Sequence, residues 1–288
     1  MKLVKQNEGS AFFKCISAMK LSIITINWNN NKGLEETIRS VVSQTYEDFE
    51  YVIVDGGSTD GSVDTIKRYA ETRPINWLSE PDKGIYNAMN KGIVKASGEY
   101  LHFLNSGDIL FDNNVVAGMV SEIEKNNHPD ILIGRMYKRM PDGSIYINPI
   151  SDNYSFLRFY TSSLDHPSSY IKKVLFDKYG LYDESLKIVS DWKWFMQVVA
   201  MNGIKPVIVD TNVSIFDMTG ISETNLTLRD RERRLVLSDT VPPCFLSDYD
   251  KYIKDIMMMR RIRNHKWAYQ LVYYLERILF KLEKRRQK

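Results

Sequence analysis

Three stretches of this 288-residue chain place oxygen-bearing side chains just after a run of β-branched or aromatic residues. Asp55 follows YVIV and opens the turn GGSTDGS; Asn105, Ser106, Gly107 and Asp108 follow YLHFL; Glu80 and Asp82 follow INWLS. If the apolar runs are neighbouring strands of a parallel sheet, their carboxyl ends lie side by side. Their oxygens then converge on the crevice where such sheets bind ligands. A strand-end carboxylate can accept the N–H of a nucleobase or the hydroxyls of a ribose, and this is the role favoured for Asp55. The competing role is an Asx turn, while Ser58, Thr59 or Asp60 can cap the helix that begins near Ser62. Asp108 follows two small residues in a tight turn, which predicts an exposed oxygen ligand for Mg²⁺ or Mn²⁺. Such a hard cation needs only one or two carboxylates beside diphosphate oxygens and water. Lys83 and Lys91 flank a helix start near Gly84, where ammonium groups and a helix N-terminus together suit phosphate; lysines taken singly are mostly just solvated.

The elements that must position these groups follow from hydrophobic period. LSIITIN, FEYVIV, INWLS and EYLHFL read as strands. Leu34, Ile38, Val41 and Val42, then Val63, Ile66, Tyr69 and Ala70, repeat at helical spacing, and Gly84 to Ala96 reads as a third helix. Alternation of this kind implies right-handed βαβ units and a parallel sheet with helices on both faces. Beyond Asp108 the spacing predicts a helix over Val115–Glu124, a strand at ILIGRMY, and a hairpin at MPDGSIYI turning on Asp142 and Gly143. A short helix near Tyr154–Tyr160, an extended SSYIKK, a helix over Asp191–Met201 closed by Asn202 and Gly203, and two strands around VIVD and VSIF follow. The predicted fold class is α/β, a Rossmann-like, mostly parallel sheet with an antiparallel edge and a C-terminal helical tail.

Composition narrows the setting. With 43% hydrophobic residues and only 9 Pro and 15 Gly, the chain can bury a sizeable core. Cys15 and Cys244, the only cysteines, are too few for a disulfide framework or a cysteine-based zinc site, so a reducing compartment is expected. Residues 1–18 lack the apolar run of a signal peptide, and no stretch reaches the roughly 18 apolar residues of a membrane span. The expected location is cytoplasmic. From Tyr249 to the end, 12 Lys or Arg face 4 Asp or Glu, a net +8, so the preceding 248 residues carry −5 of the total +3. That tail reads as amphipathic helix, with Trp267, Leu271, Tyr274, Leu275, Ile278 and Leu282 among basic residues. It suits an anionic membrane surface at the inner face of the cell membrane. A plainer alternative packs it on its own domain or on a second copy, giving a homodimer.

Taken in order, IITINWNN, VIVDGGSTDGS, SEPDKGIYNAMNKGI and GEYLHFLNSGD resemble the nucleotide-sugar half of family 2 glycosyltransferases, which have the GT-A fold. The resemblance continues more loosely through DHPSSYIKK, GLYDESLKIVSDWKWFMQV and Gly220 to Ser222, some 200 residues in all. Each motif is weak alone; the ordered set is specific. The resemblance implies inverting transfer of a sugar from a nucleoside diphosphate, with UDP favoured, to an acceptor hydroxyl. It places Thr25, Asn27, Asn29, Asp55, Asp82, Lys83, Asn105, Ser106 and Asp108 around the nucleotide sugar. Asn105 and Gly107 stand where the family has the two aspartates of its D-x-D motif, which leaves Asp108 as the carboxylate for Mg²⁺ or Mn²⁺ and puts metal dependence in question. Asp191 matches the family's catalytic base, although Ser190 and Asp191 also read as the cap and first-turn acid of the helix that follows. His166 and one of Trp192 and Trp194 are expected on the acceptor side, the other tryptophan in the core.

The implied enzyme adds a sugar to a growing, lipid-linked surface glycan. Its domains are an extension over 1–18, a GT-A domain over 19–240 with a nucleotide-sugar half at 19–112 and an acceptor half at 113–240, and a basic tail over 241–288. A sugar nucleotidyltransferase would need a glycine-rich, lysine-bearing loop where this chain has NWNNNKG. A non-catalytic nucleotide-sugar scaffold would account for Asn105 and Gly107, but not for the retained Asp108 and Asp191. Nucleic-acid binding is disfavoured, because the basic residues of the tail accompany a long apolar stripe.

Overall fold

Four strands with almost no polar residue facing water dictate the centre of the fold. In the computed structural model, which describes residues 21–150 and 154–286, β1 (Leu21–Asn27), β2 (Phe49–Asp55), β3 (Asn76–Ser79) and β4 (Tyr100–Phe103) pair in parallel in the order β3-β2-β1-β4. All seven residues of β1 are buried, as parallel strands covered on both faces must be. α1 (Asn31–Val42), α2 (Ser62–Ala70) and α3 (Ile85–Lys95) are the crossovers. α1 buries Leu34, Thr37, Ile38 and Val41, and Asn30 caps it by accepting the Gly33 N–H at 3.2 Å. α3 lies close on β1 because Gly92 has no side chain: a Cβ there would sit 2.5 Å from Ile24 Cγ2.

The second half extends the same sheet with mixed direction. β5 (Ile109–Leu110), β6 (Ile131–Arg139), β8 (Ser169–Lys172) and β9 (Val207–Asp217) continue it as β4-β8-β6-β9-β5, and β7 (Ile145–Ile147) forms the predicted hairpin with β6. β8 runs antiparallel to β4 and β6, so β6 and β9 recover the direction of β1. The carboxyl ends of β1, β2, β3, β4, β6 and β9 therefore share one edge. α4 (Val115–Lys125), α5 (Phe156–Thr161), α6 (Val174–Tyr179) and α7 (Ser190–Phe195) surround this half.

Three expectations change. VIVD and VSIF belong to one continuous strand, β9, whose pairing with β6 shifts register near Arg135. The helix expected over Asp191–Met201 splits into α7 and a π-helical segment, Met196–Met201. Helices also begin earlier than the tail, with α8 (Ile221–Thr224) and α9 (Leu226–Thr240) preceding α10 (Pro243–Arg263) and α11 (Lys266–Arg286). The expected extension over 1–18 lies outside the described residues.

The chain divides into two compact units, one ending at Arg229 and one beginning at Asp230. In the second unit α10 and α11 pack on each other, and Arg234 forms a two-point ion pair with Asp250 at 2.6 and 2.7 Å. Among the described residues no helix is long and apolar enough to cross a membrane.

Candidate active site

The strand register builds the site's floor. Asn27, Asp55 and Ser79 are consecutive partners across the ends of β1, β2 and β3. Asp55 Oδ1 accepts from Asn27 Nδ2 at 2.8 Å and Ser58 Oγ at 2.6 Å; Oδ2 accepts from the Ser58 N–H at 2.9 Å and Ser79 Oγ at 2.6 Å. Four donors fill the acceptor capacity of the carboxylate, and Asp55 is fully buried. Burial alone would raise its pKa, yet the bonds from Ser58, Ser79 and Asn27 outweigh that and hold it below the ordinary aspartate value. This corrects the expected role. Asp55 organises the loop rather than offering a free oxygen to a base: its backbone partner is the N–H of Ser58, three residues on, one residue beyond an Asx turn.

That loop is laced to the one after β1. Asn29, at φ 47°, accepts the Thr59 N–H at 2.9 Å and donates its own N–H to Ser58 Oγ at 2.8 Å, while the Asn31 N–H reaches Asp60 Oδ2 at 2.7 Å. Asn27 is buried, with Oδ1 unpartnered. Thr25 is a second correction. It is mid-strand and fully buried, donating to the Leu104 carbonyl at 2.8 Å, and so lines no loop.

Trp28, between the two asparagines, is 69% exposed. Sequence reasoning passed over it, although a lone aromatic in a polar loop was the available signal. Gly56 lets the rim close here: a Cβ would meet Asp82 Oδ2 at 2.4 Å and Trp28 Cδ1 at 3.2 Å. Asp82 Oδ1 accepts the Gly84 N–H at 2.9 Å and so shapes the entry to α3, beside exposed Lys83. Lys91 is tied to Glu80 at 2.8 Å instead.

The turn after β4 folds inward. Ser106 donates to the Asn30 carbonyl at 3.2 Å, and Gly107, at φ +106°, brings its N–H to Thr37 Oγ1 at 3.0 Å and its carbonyl to Arg139 Nη2 at 2.9 Å. Asp108 is 3% exposed, not presented to solvent as expected, because its Oδ1 accepts the Asp217 N–H at 2.8 Å inside the turn. Burial, with the Asp217 carboxylate nearby, pushes its pKa up to about 7 against the opposing pull of the Asp217 N–H and of Arg139. Asp108 Oδ2 and Asn105 Oδ1 are both buried without a partner. Two orphaned hard oxygens fit a Mg²⁺ or Mn²⁺ that arrives with a diphosphate and keeps waters. Among the described residues no cluster of three or more His, Cys, Asp or Glu could hold a metal without such help. Arg139, which nothing local in the sequence marks, also pairs with Glu36 at 3.0 Å and Asp217 at 3.4 Å.

Asp191 reaches this edge from α7. It is half-buried, and Tyr86 in the first turn of α3 places its hydroxyl 2.8 Å from Asp191 Oδ1. The neighbouring candidates do not face an acceptor. Trp192 and Trp194 are both core, their indole N–H groups donating to Phe159 and Ser162 carbonyls and to the Gly180 carbonyl. Each indole finds a backbone acceptor inside the fold, so both can be buried. His166 is 5% exposed, stacked on Phe103 and 2.9 Å from Tyr182 Oη; burial lowers its pKa, opposed by the charge of Asp191. Ser190 is not the helix cap but accepts the Asp183 N–H at 2.5 Å.

Comparison with known proteins places the chain in a family. The profile described as glycosyl transferase family 2 matches residues 22–186. The chain belongs to that family. Among relatives, it is 32% identical over 210 residues to an uncharacterized glycosyltransferase of Mycobacterium tuberculosis, covering 71% of this chain and 78% of that one. It is 28% identical over 183 residues to a PGL/p-HBAD biosynthesis glycosyltransferase of Mycobacterium bovis, covering 62% and 68%. Solved structures share the fold. TarS of S. aureus with UDP-GlcNAc aligns with TM-score 0.59 at 21% identity over 72% of this chain and 61% of that one. The mannosyltransferase PcManGT of Pyrobaculum calidifontis, with GDP-Man and Mn²⁺, aligns with TM-score 0.58 at 16% identity over 87% and 72%. As a family 2 member the chain is a glycosyltransferase of GT-A type that uses a nucleotide-sugar donor.

Proposed function

We propose that this glycosyltransferase is inverting, uses a UDP-sugar, and extends a lipid-linked surface glycan. The observation that carries the mechanism is Asp191, a half-buried carboxylate of the acceptor half held beside the first turn of α3, whose entry Asp82 shapes and Lys83 adjoins. In a single displacement, Asp191 takes the acceptor's hydroxyl proton as the acceptor oxygen bonds to the anomeric carbon and the bond to the diphosphate breaks. Attack opposite the leaving group inverts that carbon. Trp28 offers an exposed ring for the base, the Asn27–Asn29 loop and Asp82 border the ribose, and Lys83 suits the diphosphate. Asn105, Asp108 and Asp217 would hold Mg²⁺ or Mn²⁺, which supplies charge neutralisation to the departing diphosphate.

Support for the donor class comes from UDP-GlcNAc in TarS and from GDP-Man with Mn²⁺ in PcManGT. Support for a membrane-associated acceptor comes from the second compact unit. Trp267, Leu271, Tyr274 and Leu279 are exposed there among basic residues, a surface that suits anionic lipid at the inner face of the cell membrane. We assign residues 19–240 to the catalytic domain and 241–288 to the tail, with α9 running across the division between the compact units.

The test is thermal melting of the protein against UDP-, GDP-, dTDP- and CMP-sugars, each with and without Mn²⁺, followed by transfer assays with Asp191→Asn. Metal-dependent stabilisation by a UDP-sugar, and loss of transfer with that stabilisation intact in the variant, are expected. Full transfer by Asp191→Asn would remove the base, and no shift with any donor would remove the donor assignment.

A further inference from the structure

We propose that Tyr86 is the positioning residue of the catalytic carboxylate: its buried hydroxyl occupies Asp191 Oδ1 and directs proton capture to Oδ2. The inference rests on Asp191 being the general base. Tyr86 is 4% exposed, and its ring lies 5.7 Å from that of Tyr182, so the hydroxyl has little freedom. It lies 2.8 Å from Asp191 Oδ1 and 2.6 Å from the Ile188 carbonyl oxygen. One proton thus faces two acceptors. Before transfer the carboxylate charge draws the proton to Oδ1, because a hydrogen bond to a charged acceptor is the stronger of the two. When the acceptor's O–H breaks and its proton bonds to Oδ2, most of the charge leaves Oδ1. The Tyr86 proton then turns to the Ile188 carbonyl, so the buried hydroxyl is satisfied both before and after transfer.

The rest of α3 makes this contact reproducible. One turn on, Asn90 exchanges two hydrogen bonds with the backbone of Tyr182, at 2.9 and 3.0 Å, and Asn87 donates to Glu184 at 2.9 Å. The loop from Tyr182 to Asp191 is therefore docked on the helix that begins at the donor crevice. Titratable groups that face Asp191 include Tyr86 on α3, Tyr182 on the loop, and His166 on the 3₁₀ turn that precedes β8. Burial, reinforced by Asp191, raises both tyrosines well above their ordinary range, and burial lowers the histidine, so all three stay neutral near pH 7. The Lys193–Asp183 ion pair, at 2.6 Å, closes the same loop.

The experiment is steady-state kinetics of UDP release from UDP-GlcNAc by the full chain, with kcat and KM read separately. Tyr86→Phe keeps the ring and removes only the hydroxyl. Its kcat is expected to fall about tenfold or more, the effect of losing one hydrogen bond to a charged group, with donor KM unchanged. Tyr86→4-fluorophenylalanine fills the place of the hydroxyl without a proton to donate and is expected to show the same fall; it decides the matter alone if Tyr86→Phe does not fold. An unchanged kcat, or a loss that lies wholly in KM, overturns the proposal. Wild-type UDP release by Asp191→Asn instead overturns the base assignment on which it rests, and the two variants keep the two failures distinct.

Discussion

Replacing Asp108 by Asn exchanges a buried ionisable group for a neutral one of the same shape, and the effect on stability must depend on pH with a definite sign. The Asp108 carboxyl titrates near 7 in the fold, chiefly because it is buried, against 3.8 for an unperturbed aspartate. Between those values the native state binds more protons than the unfolded chain, so stability falls as pH rises. The contribution is fully present below about pH 4 and is lost by the time pH has passed 7. A gap of about three pH units, at about 1.4 kcal/mol for each, gives a loss on the order of 4 kcal/mol. Asn keeps an oxygen for the Asp217 N–H, bonded at 2.8 Å in the wild type, and has no proton to lose. The stability of Asp108→Asn relative to the wild type should therefore rise by about 4 kcal/mol from about pH 4 to about pH 8. Urea unfolding followed by tryptophan fluorescence across that range measures it, and taking the difference cancels every other titrating group. Parallel stability–pH curves for the two proteins would refute the reasoning, because they would mean that Asp108 is ionised in the fold throughout.

His102 acts in the opposite direction. It is fully buried, with Nδ1 3.1 Å from the Ser169 carbonyl, and burial holds its pKa at about 4. Its contribution is present above about 6.5 and is lost as pH falls through about 4, so His102→Gln should flatten an acid-side decline of about 3 kcal/mol, measured by the same unfolding series. Trp28→Ala should weaken nucleotide-sugar binding about tenfold or more without changing the melting temperature of the free protein, since the exposed ring is available for base stacking and packs little; calorimetric titration reads this, and equal affinity argues against the base assignment. Gly92→Ala should destabilise by about 1–2 kcal/mol, because overpacking against Ile24 exceeds the gain in helix propensity; a variant as stable as the wild type would show that α3 can move off β1.

How much of this was legible without coordinates depends on the range of the interaction. Strands β1 to β4 and helices α1 to α3 are written in local hydrophobic period, and the placement of oxygens at strand ends follows from the alternation of strand and helix. The hairpin at Asp142 and Gly143 is equally local, since only the turn residues are needed to form it. These features, with the ordered motifs of Lys20 to Leu110, were enough for the α/β fold and for the family.

Orientation was not legible, because it is settled by partners far along the chain. Whether Asp55 offers its oxygens to a ligand depends on Asn27 and Ser79, which β-sheet register brings from 28 and 24 residues away. Whether Asp108 faces solvent depends on a backbone N–H 109 residues later, and the burial of Trp192 depends on carbonyls 33 and 30 residues earlier. Tyr86 sits among apolar residues of an amphipathic helix and reads as core, and it is core; only the tertiary structure shows that its hydroxyl meets Asp191 across 105 residues. Residue type and local period determined which chemistry this chain can carry. Long-range packing decided which oxygens are consumed by the fold, because a buried polar atom must be satisfied by whatever the fold brings near, and only what remains is available to a substrate.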